Sequence, residues 1–309
     1  MGGFTRYLIQ RFIAAIITLI GVATIVFFLL RLLPGDPARI IAGLLASEEE
    51  IERIRVQLGL DKPLWVQYII FMGRLFVGDL GLSARTSQPV LIEVAARLPN
   101  TLKLAVVSTV LATVFGVSAG VIAATRRYSL FDYLASFGSL LGISMPVYWL
   151  GLLLIILFAV KLHWLPAAGA EKPTSIILPS LTLALFSVAL VARMTRASML
   201  EVLNQDYIRT ARAKGLKERT VIFRHALQNA FIPVLTVIGL QFGALLGGAV
   251  LTESVFGWPG IGLLLVDSIF ARDYPVVQGI VLIFSAMFIL VNLIVDILYA
   301  YIDPRIRYG

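Results

Sequence analysis

The stretch from Asp206 to Pro233, DYIRTARAKGLKERTVIFRHALQNAFIP, decides how the whole chain is read. It carries Arg209, Arg212, Lys214, Lys217, Arg219 and Arg224 against only Asp206 and Glu218. Uncharged apolar runs flank it, residues 173–192 before it and 226–252 overlapping its end. A hydrocarbon core of about 30 Å takes roughly 20 apolar residues of helix, so each run is long enough to cross a bilayer and the polar stretch joins two crossings.

Working outward, the same test finds four more runs, at 12–30, 104–125, 133–160 and 274–295. The chain of 309 residues is 59% hydrophobic and 14% charged, outside the range of soluble globular domains. A soluble helical core would show apolar stripes opposite charged faces, and these runs show none. The expected fold is therefore all-α, a polytopic membrane protein with six transmembrane helices. The runs at 133–160 and 226–252 exceed one crossing, so each is expected to tilt or give residues to an interfacial turn. Arg6 and Arg11 precede the first run, but its apolar part is too long for a cleaved signal and no small-x-small site follows it, so it reads as a retained anchor.

Arginine and lysine in the short loops set the orientation. With the N-terminus inside, the cytoplasmic segments hold Arg6, Arg11, Arg126, Arg127, Arg193, Arg196, Arg305, Arg307 and the cations of 206–233, while the short outside loops hold Lys161, Lys172 and Arg272. Both termini are thus expected in the cytoplasm. The long loop 31–103 carries nine basic and eight acidic residues and escapes the rule by its length. Three regions are expected: 1–33 with the first crossing, an extracytoplasmic loop 34–100 with short amphipathic helices, and a five-helix core 101–309 containing the cytoplasmic loop 198–230.

In the outer loop, Ser47 and Glu50 form a capping-box pattern ahead of Ile51, Ile54 and Leu58 on one helical face, with Gly59 as the stop. GDLGLS, residues 78–83, is a turn-rich connector to a second short helix around 90–98. This loop either caps the bundle or docks an external partner.

The cytoplasmic loop has two readings. As a topogenic signal it would need only a few charges beside a span, and it is far longer than that. As an organised element it gives a helix from 199 to 213, a glycine stop at Gly215, and a second helix over 217–229 running into the fifth crossing near Pro233.

Within the crossings, Gly239, Gly243 and Gly247 recur every four residues as a face for close helix approach, either as simple packing or as a face that slides against a second subunit. Pro146 in GISMPVYW lies mid-run and should bend its helix. Ser144, Tyr148 and Gln241 are candidates for the translocation pathway, with interhelical hydrogen bonding as the alternative for each. The two histidines, His163 and His225, lie far apart, and with no cysteine no metal site is expected. There is no phosphate-loop motif and no H-E-x-x-H. None of the six cores holds an ionisable residue, which argues against an ion-coupled carrier, although carbonyl-built ion sites keep that alternative open beside a membrane scaffold without ATP coupling.

YIRTARAKGL followed by RHALQNAFIPVL resembles the cytoplasmic coupling loop of ABC-importer permeases, in the branch that moves dipeptides, oligopeptides, nickel or glutathione. LPGDPA (33–38), LGLDKPLWVQY (58–68), GDLGLS, GGAVLTESVFGWPGIG (247–262), RDYPVVQG (272–279) and DILYAYIDPRIR (296–307) extend the resemblance over nearly the whole chain. One departure concerns the general loop pattern, E-A-A, three residues, glycine, nine residues, I-x-L-P. With Gly215 in register, Arg209, Thr210 and Ala211 stand at E-A-A, and Ile232 and Pro233 fall later than that spacing.

The resemblance implies a transport subunit and not an enzyme. It places a short helix in a groove of a separate ATP-binding subunit, with Asp206, Arg209, Thr210, Ala211, Arg212, Ala213, Lys214, Gly215, Leu216, Arg224 and His225 at or beside that contact. It further implies a second homologous permease, two ATP-binding subunits or domains that carry ATP and Mg, an external solute-binding protein, surrounding membrane lipid and no nucleic acid. No cofactor is expected on this chain. The location implied is the inner membrane, and among the family's solutes short peptides or glutathione are favoured over nickel.

Overall fold

The structure, a computed structural model, describes residues 2–32, 35–43 and 46–302. Leu33 and Pro34 of LPGDPA, and the end of the last motif from residue 303 with Arg305 and Arg307, lie outside the described residues. In chain order the helices are α1 (Gly2–Leu32), α2 (Pro37–Ala42), α3 (Glu48–Gln57), α4 (Leu64–Phe76), α5 (Val90–Thr125), α6 (Leu130–Ser144), α7 (Val147–Leu154), α8 (Ile177–Leu203), α9 (Asp206–Ala213), α10 (Glu218–Thr220), α11 (Leu227–Val255), α12 (Ile261–Phe270) and α13 (Tyr274–Ile302). Wider π-helical turns extend α7 over Ile155–Lys161 and join α10 to α11 over Val221–Ala226. Among the described residues the β structure is one isolated bridge between Leu82 and Pro89.

Five segments are long and apolar enough to cross a membrane: Ile9–Leu32, Val90–Thr125, Pro173–Leu203, Glu218–Val255 and Tyr274–Val295. The sixth expected crossing is not one rod. It is a pair of arms, Leu130–Ser144 and Val147–Lys161, bent by 106°. Pro146 supplies no N–H and biases its neighbour Met145 to extended backbone (ψ 129°), so the helical ladder stops and restarts there. The overlong run 133–160 is accommodated by this break, which is sharper than an interfacial turn or a tilt.

One other expectation is corrected. The short helix at 90–98 is the start of the 36-residue α5, which continues through Pro99. Pro99 forgoes one backbone bond, and the apolar sequence beyond it favours the remaining helical bonds enough to carry the helix through. The glycines at 239, 243 and 247 have different surroundings within this chain. A Cβ at Gly239 would lie 2.3 Å from Val295 Cγ2, Gly243 is buried, and Gly247 faces open space. Four residues turn a helix by 400°, so the stripe drifts about 40° per step. A tight glycine contact also lies in α5, in GVSAG. A Cβ at Gly116 would lie 2.7 Å from Val191 Cβ, and one at Gly120 2.6 Å from the Ala192 carbonyl oxygen, both on α8.

The chain divides into two compact units, Met1–Thr101 with Pro259–Ile289, and Leu102–Trp258 with Leu290–Gly309. In the first, the capping box is formed as expected. Ser47 Oγ accepts from the Glu50 N–H, Glu50 Oε2 accepts from the Ser47 N–H, and Ile51 is buried. Two distant motifs of this unit meet at Asp273. Its buried carboxylate accepts hydrogen bonds from Ser83 Oγ (2.5 Å) and the backbone N–H groups of Ala84 (3.1 Å), Arg85 (3.3 Å) and Val276 (3.4 Å). GDLGLS is thereby fastened to the start of α13. Beside it a Cβ at Gly279 would sit 2.5 Å from Val90 Cγ1. Thr101 Oγ1 accepts from the Ile261 N–H at 2.9 Å, tying α5 to the start of α12.

In the second unit α8 is central, packed by α11, α6 and α7. An apolar cluster of Leu104, Leu183, Leu245, Ala249 and Trp258 fills its interior at one level, and a second cluster, around α9, fills another.

Two measurements check these contacts. Asp273→Ala removes the acceptor of several hydrogen bonds, each charge-assisted one worth about 1.5–3 kcal/mol, so trypsin should cut at the exposed Arg85 at least about tenfold faster. Gly120→Leu forces about 1–3 kcal/mol of overpacking between α5 and α8 and should lower the unfolding temperature in detergent. Gly247→Leu, facing open space, should not.

Candidate coupling surface

Local sequence isolates α9 from its neighbours. The expected continuous helix from 199 to 213 is interrupted, because α8 ends at Leu203 and Gln205 is extended (ψ 151°). Asn204 Nδ2 donates to the Leu200 carbonyl at 2.9 Å, the local side-chain bond by which asparagine competes with helix continuation. Asp206 then occupies the first turn of α9, where a negative charge suits the N-terminal end of the helix dipole.

One face of α9 is buried. Ile208 has no exposed surface and Ala211 has 7%, and both pack with Val121 and Ala124 of α5, Met199 of α8, and Val221, Ala226 and Ala230 of the segment leading through α11. Burying a side chain such as Ile208 is worth about 1.5–3 kcal/mol, so α9 is held on the ends of three long helices and does not hang free. Tyr207 adds a hydrogen bond to Asn229, and its partial burial raises the phenol's pKa above the ordinary value.

The helix ends in a hydrogen-bonded glycine cap. Gly215 sits at φ 77°, its N–H donates to the Arg212 carbonyl (2.9 Å), and the Leu216 N–H donates to the Ala211 carbonyl (3.4 Å), the paired bonds of a Schellman motif. Arg212 closes the turn from outside through a two-pronged pair with Glu218, Nη2 to Oε1 at 2.8 Å and Nε to Oε2 at 3.2 Å. That hydrogen bond raises the Arg212 pKa further above its already high value.

The opposite face carries the other candidates. Asp206, Arg209, Thr210, Arg212, Ala213, Lys214, Gly215, Leu216 and Arg224 are exposed, and His225 is half-buried. Arg209 makes only a long 3.4 Å contact with Asp206. Lys214, Lys217, Arg219 and Arg224 make no ion pair among the described residues. The result is a rigid apolar-backed helix presenting a cationic outer face. Ala211 differs from the rest in facing inward, where it seats the helix. Ile208 completes the seat, and its spacing three residues from Ala211 was the signal for it.

The four pathway candidates lie on α6, at the bend, on α7 and on α11. Ser144 Oγ donates to the Leu140 carbonyl of its own helix at 2.8 Å, Pro146 caps α7 at the bend, and Tyr148 is 47% exposed. Gln241 is on α11, where its Oε1 accepts from Ser187 Oγ of α8 at 3.3 Å. Among the described residues no group of three or more histidine, cysteine or carboxylate side chains is arranged to hold a metal.

Residues 116–308 match the family model described as "Binding-protein-dependent transport system inner membrane component", and residues 4–105 match "Binding-prot-dependent transport system membrane comp, N-term". The chain is 51% identical over 303 residues to the glutathione transport system permease protein GsiC of Escherichia coli O6:H1, covering 98% of this chain and 99% of that one. The GsiC protein of Shigella dysenteriae serotype 1 matches with the same identity and coverage. Among solved structures, the inward-facing MetNI methionine ABC transporter is similar with a TM-score of 0.61 at 17% identity, covering 71% of this chain and 100% of the other. An amino acid ABC transporter crystallised with histidines follows with a TM-score of 0.55 at 17% identity, covering 68% and 94%. At that identity the likeness is one of fold.

The turn at Gly215 can be tested directly. Its left-handed backbone costs a residue with a branched Cβ about 1–2 kcal/mol, although no atom lies within 4 Å of the Cβ position. Gly215→Val should insert normally, yet amide exchange over 211–216 should speed up about tenfold.

Proposed function

The chain belongs to the binding-protein-dependent transport system inner membrane components, the permease subunits of ABC importers, and on that premise we propose that it carries short peptides, glutathione foremost. It is a multi-pass membrane transport subunit and not an enzyme, and such permeases work with a second permease, ATP-binding subunits and a solute-binding protein. The likeness to GsiC over almost all of both chains is the observation that carries the solute class.

The proposed assembly sits in the inner membrane with both termini of this chain in the cytoplasm. A distinct homologous permease completes the pathway, and two ATP-binding subunits hold ATP and Mg. Each subunit receives a coupling helix in a groove, and on this chain that helix is α9. Asp206, Arg209, Thr210, Ala213 and Lys214 meet the groove, while Leu216, Arg224 and His225 border it. Arg212 and Glu218 keep the Gly215 turn closed. The physical support is the division of α9 into an apolar face seated on the helix ends and a charged face left open. A helix so seated passes displacement to the crossings, whereas a loose loop would absorb it.

The test is reconstitution of the chain with its partner permease, ATP-binding subunits and binding protein in liposomes. ATP-driven uptake of labelled glutathione is expected, with uptake per ATP hydrolysed reduced about tenfold by Gly215→Val and assembly unchanged. Absence of ATP-driven uptake of both glutathione and dipeptides would overturn the solute assignment. Equal uptake per ATP in the variant and the parent would overturn the role of the turn.

A further inference from the structure

Asp132 stands in the first turn of α6 and is 4% exposed. Its carboxylate accepts two parallel hydrogen bonds from Arg196 of α8, Nε to Oδ1 at 2.6 Å and Nη2 to Oδ2 at 2.9 Å, and a third from the Tyr128 N–H at 3.1 Å. A forked guanidinium–carboxylate pair fixes orientation as well as distance. Farther along the same helices a Cβ at Gly142 would lie 3.2 Å from both Ala189 Cβ and the Leu185 carbonyl oxygen, so α6 also touches α8 there at close range. Toward α5 the packing is different. A gap of about 130 Å³ has Ala119 and Ala123 of α5 on one side and Ala135, Ser136 and Ser139 of α6 on another. The helix α6 is thus fastened to α8 at two levels, with free space beside α5.

The two ends of this fastened pair lead to different moving parts. Beyond Arg196, α8 runs to Leu203, and only Asn204 and Gln205 separate it from α9. In the other direction α6 runs to Met145 and the 106° bend. We infer that Asp132 and Arg196 are positioning residues of the transport cycle, locking α6 to α8 so that displacement of α9 is delivered to the bend at Met145 and Pro146. Without the pair, α6 slides along α8 into the gap and the displacement is lost. The inference rests on the importer reading above.

The experiment uses the full complex in liposomes, with spin labels on Tyr133→Cys and Gln205→Cys, both exposed positions in a chain that otherwise has no cysteine, the second at the N-cap of α9 and outside the proposed groove contact. In the parent, the distance between labels on α6 and α9 should stay the same with and without Mg-ATP. Asp132→Asn keeps the side-chain volume and removes the charge. In it the distance should change on adding Mg-ATP and glutathione uptake per ATP should fall about tenfold, while the complex is recovered at the parental yield. The swap Asp132→Arg with Arg196→Asp should restore part of the uptake per ATP. Unchanged distance and unchanged uptake per ATP in Asp132→Asn would overturn the inference. So would a parallel fall of complex recovery, hydrolysis and uptake that the swap leaves unrepaired, because that is the mark of a fold-stabilising pair. A parent complex that takes up neither glutathione nor dipeptide would overturn the solute assignment, and the label distances would still decide whether α6 follows α9.

Discussion

In hydrocarbon every backbone N–H and C=O must find its partner within the chain, and this constraint explains most of what the helices do. It makes α5 continue through Pro99 and α11 through Pro233 at the cost of single bonds, where an aqueous helix would more readily stop. Many hydroxyls in the apolar helices obey the same constraint. Thr18, Ser108, Thr109, Ser139 and Thr182 each donate to the carbonyl four residues earlier, so their polarity is settled inside one helix. Where the ladder stops at Met145 and Pro146, the chain changes direction by 106°.

The seating of α9 depends on that regularity. A short helix such as α9 is marginal by itself, since few of its backbone groups have partners within it. Its stability comes from seating Ile208 and Ala211 among the ends of long, internally satisfied helices, and from the glycine cap that closes the carbonyls of its last turn. The outward charges are thereby left exposed. The Asp132–Arg196 pair extends the same logic to α6, with a forked polar contact to α8 beside the gap toward α5.

Much of this was legible in the residues. Apolar run length located the five long apolar helices and the bent pair between them, because hydrophobicity and helical hydrogen bonding depend on near neighbours in the chain. The capping box at Ser47 and the turn at Gly215 were legible for the same reason, each being closed by residues a few positions apart. The resemblance of the cytoplasmic loop pointed to the family that the relatives then showed.

What the sequence could not settle was which faces meet. Two glycine patterns were available, and packing used Gly116 and Gly120 against α8 while Gly247 was left facing open space, because contact depends on the rotation of a helix toward its neighbour and not on spacing alone. The union of Asp273 with Ser83, 190 residues apart, and the pairing of Arg196 with Asp132 likewise required the tertiary fold. By itself the sequence determined the crossings, the caps and the polar loop, since these are local balances of hydrogen bonding and hydrophobicity. Only the tertiary structure decided which side chains became anchors, because burial and ion pairing are properties of surfaces brought together.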